Sequence, residues 1–232
     1  MRGERLNDGL SAACTGEGPP LVILPGFGPG ADLSVRVPRS AAWSNAALAS
    51  GFKRTVHLIH RPVHPSPGLT IAALAGWHAA ALAERFGEPV DVMGISAGGD
   101  GLRDLRRITD LEGQGRSGAR IGSRLIAHGP LQLMVLAAFA LSPNRPRAPG
   151  EAALVEAAQA WDVTARLGEI KVPVLVAGGT RDRVVPPELV RATAAGIAGA
   201  RLVLLPGRGH VTALYDPRLK PAIAAFLAEP AH

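Results

Sequence analysis

Short apolar runs alternate along this chain with longer segments whose apolar residues recur every three or four positions. The short runs are rich in β-branched residues and predict strands at residues 20–24, 55–59, 90–95, 172–177 and 201–205. The longer segments predict helices at residues 41–50, 70–86, 102–111, 187–197 and 217–227. Such an alternation is typical of an α/β fold, in which one mostly parallel central sheet carries helices on both faces.

Four predicted helix boundaries coincide with residues that start or stop helices. Thr70 is suited to cap the helix at 70–86, and Gly87 to end it. Gly51 is expected to close the helix at 41–50. Pro217 suits the first turn of the last helix, since the first helical positions need no N–H donor.

Residues 112–162 interrupt the alternation. Residues 112–122 are rich in Gly, Arg and Ser and predict a loop, whereas the apolar residues 125–141 fit either a helix or a strand. Residues 143–149 contain several prolines, and residues 151–161 again have helical spacing. A short cap or lid is expected here, or a strand of the sheet; without that strand, backbone groups in the sheet would lack partners. The chain is otherwise expected to be one domain, residues 1–232.

The composition fits a compact protein without a membrane span. Of the 232 residues, 47% are hydrophobic, which is enough to bury a core, and no apolar run reaches the ~18–20 residues that a span requires. A single cysteine, Cys14, cannot form an internal disulfide, so a cytoplasmic location is expected. The net charge of +6 comes from dispersed arginines, and only 4% of residues are aromatic, which argues against nucleic-acid binding. The oligomeric state stays open.

The stretch Gly94-Ile95-Ser96-Ala97-Gly98 directly follows the apolar run at residues 90–93 and includes the end of the predicted strand at 90–95. In such a sharp strand-to-helix turn the serine hydroxyl is exposed beside the positive end of a helix. Small neighbours are needed where strand and helix crowd together. Ser96 is therefore a candidate nucleophile.

Two further candidates follow predicted strands. Asp182 comes after the strand at 172–177, and His210 after the strand at 201–205. Because the carboxyl ends of parallel strands share one edge of a sheet, Ser96, Asp182 and His210 are expected to converge there. A serine nucleophile needs a base, and the base needs an acid to orient it. Asp162 is a rival acid without a strand before it, and Asp182 could alternatively cap the helix that follows.

Taken together, four stretches resemble the pattern of the α/β-hydrolase superfamily: residues 24–28, 94–98, 178–182 and 209–210. The resemblance implies that Ser96 is the nucleophile, His210 the general base and Asp182 its orienting acid. It also implies that the backbone N–H groups of Phe27 and Ala97 form the oxyanion hole. Many relatives carry His-Gly where this chain has Pro-Gly at residues 25–26, a change that leaves the next backbone donor in place.

The resemblance implies an enzyme that hydrolyses a carboxylic ester or a related acyl bond through an acyl-serine. Its partner would be a small-molecule substrate with an acyl group, and it would need no cofactor and no metal. Other reactions of the superfamily stay open: lactone or thioester hydrolysis, carbon–carbon bond hydrolysis and cofactor-free perhydrolysis. A non-catalytic protein that binds a small molecule is the alternative from another class.

Two other patterns carry less weight. His57, His60 and His64 suggest a metal site, but alternation along a strand puts His57 and His60 on opposite faces, and no carboxylate or cysteine cluster accompanies them. The glycines of residues 26–30 lack the Lys-Ser/Thr of a phosphate-binding P-loop. Neither a metal nor a nucleotide is expected.

Overall fold

The computed structural model of the chain describes residues 2–6, 10–26, 37, 39–62, 68–95, 157 and 160–229. They belong to two compact units, Met1–Ala97 with Pro146–Ala158, and Gly98–Arg145 with Gln159–His232. The helix predicted at 102–111 and most of the segment 112–162 lie outside the described residues. The expectation of one domain with a short cap stays a prediction.

The first unit is built on a five-stranded sheet in the spatial order β1-β2-β4-β3-β5. Its strands are β1 (Arg2–Arg5), β2 (Ser11–Thr15), β3 (Pro20–Leu24), β4 (Thr55–His60) and β5 (Asp91–Gly94). β3 pairs in parallel with β4 and with β5, whereas β2 pairs antiparallel with β1 and with β4. Helix α1 (Arg39–Phe52) follows β3 in the chain, and helix α2 (Ile71–Phe86) follows β4. The three middle residues of β3, Leu21, Val22 and Ile23, are almost completely buried.

The register brings the carboxyl ends of β3 and β5 side by side. Leu24 lies opposite Gly94, and the N–H of Ile95 donates to the carbonyl of Leu24 at 3.0 Å. The chain passes from β3 through α1 to β4 on one side of β3, while β5 lies on the other side. Such a reversal of strand order is the place where open parallel sheets form their ligand sites.

Helix α2 confirms the prediction for residues 70–86 together with both of its caps. Thr70 Oγ1 accepts the N–H of Ala73 at 3.1 Å, and Gly87 ends the helix in the left-handed conformation with φ of 67°. The buried face includes Ala81, which packs in one cluster with residues of β2, β3 and β4. The apolar stripe read from the sequence thus covers the sheet.

The sequence did not predict the two N-terminal strands. β1 reads Arg-Gly-Glu-Arg and has no apolar alternation, and β2 is made of small residues. Both form because antiparallel pairing satisfies their backbone groups, with Arg2 opposite Cys14 and Ser11 opposite His60. β1 pairs with β2, and β2 pairs with β4, which lies more than forty residues further along the chain, so a local pattern cannot show the ladder that holds them.

One helix end in this unit was predicted wrongly. The helix at 41–50 extends over Arg39–Phe52, so Gly51 lies inside its last turn. The left-handed position after the helix is taken by Lys53, with φ of 52°. Lysine is an uncommon residue there, so the expected stop at glycine was misplaced by two residues.

The second unit contains a two-stranded parallel sheet of β6 (Leu175–Gly179) and β7 (Arg201–Leu205). A 3₁₀ helix, Thr164–Glu169, precedes β6. The α-helices are α3 (Pro187–Gly196), α4 (His210–Leu214) and α5 (Leu219–Leu227). β7 has the predicted bounds. Within the described part of the chain, no helix has the length and apolar character to cross a membrane.

Two boundaries in the second unit correct the prediction. β6 begins at Leu175 instead of residue 172, because Pro173 has no N–H to give to a strand ladder. Helix α5 begins at Leu219, so Pro217 does not lie in its first turn. The Asp216 carboxylate instead accepts the N–H of Arg218 at 2.9 Å, which forms a turn that contains Pro217.

Three histidines of the first unit have a pKa below the usual value because they are buried. His57 packs edge-on against the ring of Phe86, with ring centroids 4.9 Å apart, and burial lowers the pKa of both His57 and His78. Burial lowers the pKa of His60 to about 4, and the charge of Arg61 adds to the effect. Its Nδ1 is buried and has no hydrogen-bond partner in the described part of the chain.

Stability should therefore fall as the pH drops below 6.5. With a pKa of about 4 when folded and 6.5 when unfolded, His60 contributes stability that is fully present above pH 6.5. That contribution is lost as the pH falls towards 4, and amounts to roughly 3 kcal/mol. His60→Leu should reduce the slope of unfolding free energy against pH in this window, measured by urea denaturation. An unchanged slope would contradict the assignment.

Candidate active site

Asp182 and His210 meet in the second unit. Oδ2 of Asp182 lies 2.8 Å from Nδ1 of His210, and their side chains are 5% and 16% exposed. A carboxylate can only accept, so Nδ1 of the neutral ring carries the proton and donates it. The acceptor lone pair of the neutral ring is therefore on Nε2, the atom that would take a proton from another group.

The second carboxylate oxygen of Asp182 is fixed by the backbone that follows it. Oδ1 accepts the N–H of Val184 at 2.8 Å and that of Val185 at 2.9 Å. Asp182 does not cap the helix that follows, because Pro186 is the N-cap of α3 and no side chain caps it. Oδ1 instead holds the turn before that helix, and Oδ2 faces His210. Because the backbone holds Oδ1, the direction of Oδ2 is fixed as well.

The loops after β6 and β7 are bound to each other through backbone and hydroxyl groups. The N–H of Arg181 donates to the carbonyl of Arg208 at 2.8 Å. The N–H of Gly207 donates to Thr180 Oγ1 at 2.8 Å, and the N–H of Thr180 donates to the carbonyl of Leu205 at 3.1 Å. Asp182 follows the first loop directly, and His210 lies two residues after Arg208.

Two glycines allow this close approach. A Cβ atom on Gly179 would lie 2.2 Å from the backbone oxygen of Arg208, so no larger residue fits unless the loops separate. Gly207 has φ of 73°, and the N–H of Arg208 donates to the carbonyl of Leu205 across it. Pro206 followed by glycine suits a turn of this kind. The turn redirects the chain from β7 towards His210.

His210 is the first residue of the short helix α4. The N–H of Gly209 donates to Thr212 Oγ1 at 2.8 Å, and the N–H of Ala213 donates to the carbonyl of Gly209. These bonds fix the backbone on both sides of His210. The imidazole is thus mounted on an ordered turn and not on a free loop.

The other predicted site residues, Ser96, Ala97 and Phe27, lie outside the described residues. The chain is described up to Ile95 after β5 and up to Gly26 after β3. After β3, Arg61 Nη2 donates to the carbonyl of Gly26 at 2.9 Å, and Nη1 lies 3.5 Å from the carbonyl of Pro25.

The rival acid and the suggested metal site have other surroundings. Oδ1 of Asp162 accepts the N–H of Thr164 at 2.8 Å at the start of the 3₁₀ helix. His64 lies outside the described residues. Among the residues that the structure describes, no three His, Cys, Asp or Glu side chains group closely enough to hold a metal ion.

Comparison with solved structures identifies the architecture. A hydrolase from Pseudomonas aeruginosa PA01 is 20% identical and superposes with a TM-score of 0.72, covering 95% of this chain and 94% of that one. The enol-lactonase from Burkholderia xenovorans LB400 is 18% identical with a TM-score of 0.70, covering 98% and 100%. A thermophilic esterase from Thermogutta terrifontis is 20% identical with a TM-score of 0.66, covering 98% of each chain. This protein has the α/β-hydrolase fold.

Sequence comparison adds one match. The family model described as TAP-like protein matches residues 151–232, which include β6, β7 and both Asp182 and His210. No curated protein matches the chain. The family model therefore covers only the C-terminal part of the chain. The assignment of the whole chain to the α/β-hydrolase fold is based on the similar solved structures.

The sequence analysis did not identify the roles of three polar residues. Arg61 contacts the loop after β3, and Thr180 and Asp216 contact the loop after β7. Arg61 and Thr180 act on carbonyl and N–H groups of another loop, and nothing in their own sequence context signals this. Asp216 had a signal, because Asp-Pro favours the start of a turn. That signal was outweighed by the expectation that Pro217 begins the helix.

The contact between the two loops predicts that Gly179→Ala destabilises the protein. The new Cβ would collide with the backbone of Arg208, and the Arg181 hydrogen bond would be stretched, so we expect a loss of about 2 kcal/mol or more in unfolding free energy. Gly168→Ala is the matched control, since a Cβ there meets nothing within 4 Å, and it should change stability by less than about 0.5 kcal/mol. Urea denaturation measures both, and equal stabilities would contradict the close approach.

Proposed function

We propose that this protein is a serine hydrolase that cleaves a carboxylic ester or a related acyl bond through an acyl-serine. The observation that carries the proposal is the hydrogen bond between Asp182 and His210. A buried carboxylate fixed by two backbone N–H groups, with an imidazole on its remaining oxygen, is the arrangement that prepares a general base. The α/β-hydrolase fold agrees with it.

The proposed nucleophile is Ser96. Its support is the G-x-S-x-G sequence that directly follows β5, together with the pairing of Ile95 and Leu24 that continues the β3–β5 ladder up to the residue before the serine. The carboxyl ends of β3 and β5 form the switch point of the sheet, where a nucleophile elbow has its function.

The proposed oxyanion hole consists of the N–H groups of Phe27 and Ala97. We propose that Arg61 assists it from outside. In a trans peptide the carbonyl and the next N–H point in opposite directions, so the bond from Arg61 to the carbonyl of Gly26 would orient the peptide unit that Gly26 shares with Phe27. Directed backbone donors of this kind stabilise the charge that develops on an acyl oxygen.

The reaction would proceed in two halves. Ser96 Oγ attacks the acyl carbon while Nε2 of His210 takes the hydroxyl proton, and the same proton passes to the leaving oxygen as its bond to the acyl carbon breaks. Water then attacks the acyl-serine and gives its proton to Nε2. That proton returns to Ser96 Oγ when the acyl–serine bond breaks and the acid is released. Asp182 stabilises the imidazolium formed in both halves without taking a proton.

A lactone is the second candidate substrate, because an enol-lactonase is among the proteins of similar structure. A lactone is an internal ester, so the same nucleophile and base would open it, and the leaving oxygen would stay attached to the product. The described residues do not define the length of the acyl chain. A series of linear esters and a series of lactones, each of increasing chain length, would therefore be assayed side by side.

Hydrolysis of p-nitrophenyl esters from acetate to decanoate tests the proposal. Wild type should turn over at least one ester, and Ser96→Ala should lower kcat by roughly 10⁴-fold or more. His210→Gln should cause a comparable loss. Asp182→Asn should lower kcat by roughly 10⁴-fold, because the amide favours the wrong tautomer of the imidazole. Circular dichroism of each variant checks that it is folded.

A fluorophosphonate label separates the enzyme from a non-catalytic binding protein. An activated Ser96 should be labelled in wild type and not in Ser96→Ala. If folded wild type neither takes the label nor hydrolyses any ester or lactone, the hydrolase proposal is wrong, and binding of a small molecule becomes the function to test.

The role of Arg61 predicts that Arg61→Met lowers kcat by roughly tenfold with little change in KM, because only the oxyanion donor is disturbed. Arg54→Met is the matched control. Arg54 lies in the same unit and forms an ion pair with Asp91 of β5 at 2.9 Å. That ion pair does not involve the loop after β3. Steady-state kinetics on the best ester compares the two, and equal effects would argue against a role for Arg61 in the oxyanion hole.

A further inference from the structure

Asp216 is a buried carboxylate with an unusual number of donors. Its side chain is fully buried, and Oδ2 accepts Arg208 Nε at 2.6 Å and Arg218 Nη2 at 2.8 Å. Oδ1 accepts Arg218 Nε at 2.8 Å and the backbone N–H of Arg218 at 2.9 Å. These hydrogen bonds, those from Arg218 first, hold the pKa of Asp216 well below its usual range. The carboxylate is therefore a permanent anion at any pH where the protein works.

Arg208 joins this anion to the loops of the candidate active site. Its side chain reaches Asp216, while its backbone carbonyl accepts the N–H of Arg181 and lies against Gly179. The bond to Asp216 fixes the side chain of Arg208. The contacts with Arg181 and Gly179 fix its main chain against the loop that leads into Asp182. One residue, Gly209, separates Arg208 from His210.

We propose that Asp216 is a positioning residue that acts through Arg208 to hold His210 against Asp182. The proposal rests on the proposed function only in naming His210 as the base. A guanidinium is always charged and has a rigid, planar set of donors, so its bond to a buried carboxylate sets both a distance and a direction. The loop between β7 and His210 is thereby anchored to the turn that precedes α5.

The atoms of Asp216 separate this role from that of simply closing the turn before α5. That turn uses Oδ1, which accepts the N–H of Arg218, and the backbone carbonyl, which accepts the N–H of Leu219. The bond to Arg208 uses Oδ2. A change at Arg208 therefore removes the link to the loop after β7 and leaves the turn in place.

The test compares Arg208→Met with Arg208→Lys and with a matched control, Arg201→Met. Both arginines are about half exposed, and Arg201 pairs with Glu229 in the same unit. The first readout is ¹⁵N NMR of histidine-labelled protein, with His210 assigned by its absence in His210→Gln. It reports which ring nitrogen carries the proton when the ring is neutral.

We expect Nδ1 to carry the proton of His210 in wild type and in Arg201→Met. In Arg208→Met the proton should be shared with Nε2, because the ring is no longer held against Asp182, and Arg208→Lys should lie between. The kinetic readout is kcat on the best p-nitrophenyl ester, expected to fall roughly 10- to 100-fold in Arg208→Met with KM nearly unchanged. Asp216→Asn should act in the same direction.

The NMR and kinetic measurements test the positioning role and the proposed function independently of each other. If wild type hydrolyses nothing, the proposed function is wrong, and the NMR comparison still decides whether Arg208 and Asp216 position the ring. A wild-type signal in Arg208→Met, with kcat equal to that of Arg201→Met, would overturn the positioning role. A wild-type ring without its proton on Nδ1 would overturn it too.

Discussion

The close contact between the carbonyl of Arg208 and Gly179 is the constraint on which the candidate active site depends. β6 and β7 are parallel neighbours, so the loops that leave their carboxyl ends start side by side. They can remain in contact because Gly179 has no Cβ, and the N–H of Arg181 then reaches Arg208. The loops that lead to Asp182 and His210, whose side chains lie 2.8 Å apart, start from that contact. The geometry of the pair is thus a property of the backbone first and of the side chains second.

The local pattern of the sequence was sufficient for elements that carry their own signals. Helix α2 has an apolar stripe, a threonine at its start and a glycine at its end, and each of them acts locally. β7 is a short apolar run between turn residues, and its bounds were predicted without error. The pairing of Asp182 with His210 was also predicted, because parallel strands put their following loops at one edge.

Elements that depend on distant partners could not be predicted in this way. β1 and β2 gain their stability from the ladder that ends on β4, and their own residues look like a charged, small-residue tail. Pro217 was misassigned because its preference for a first helical turn is weaker than the hydrogen bonds of the Asp216 carboxylate to Arg218. Arg61 contacts a loop 35 residues before it, and no spacing rule connects the two. In each case the deciding interaction either joins residues far apart in the chain or involves a side chain whose partner cannot be identified from the pattern of apolar and polar residues.

The two buried carboxylates of the second unit differ in the kind of partner they have, and this difference suggests different tasks. Asp182 faces an imidazole, and the interaction between them changes when the ring takes up a proton and becomes charged. Asp216 faces two guanidinium groups, which stay charged throughout, so its interactions are the same in every protonation state of the ring. In the proposed mechanism, the Asp182 carboxylate responds to the charge that forms on the base. The Asp216 carboxylate is proposed to hold the surrounding loop in place while that charge appears and disappears.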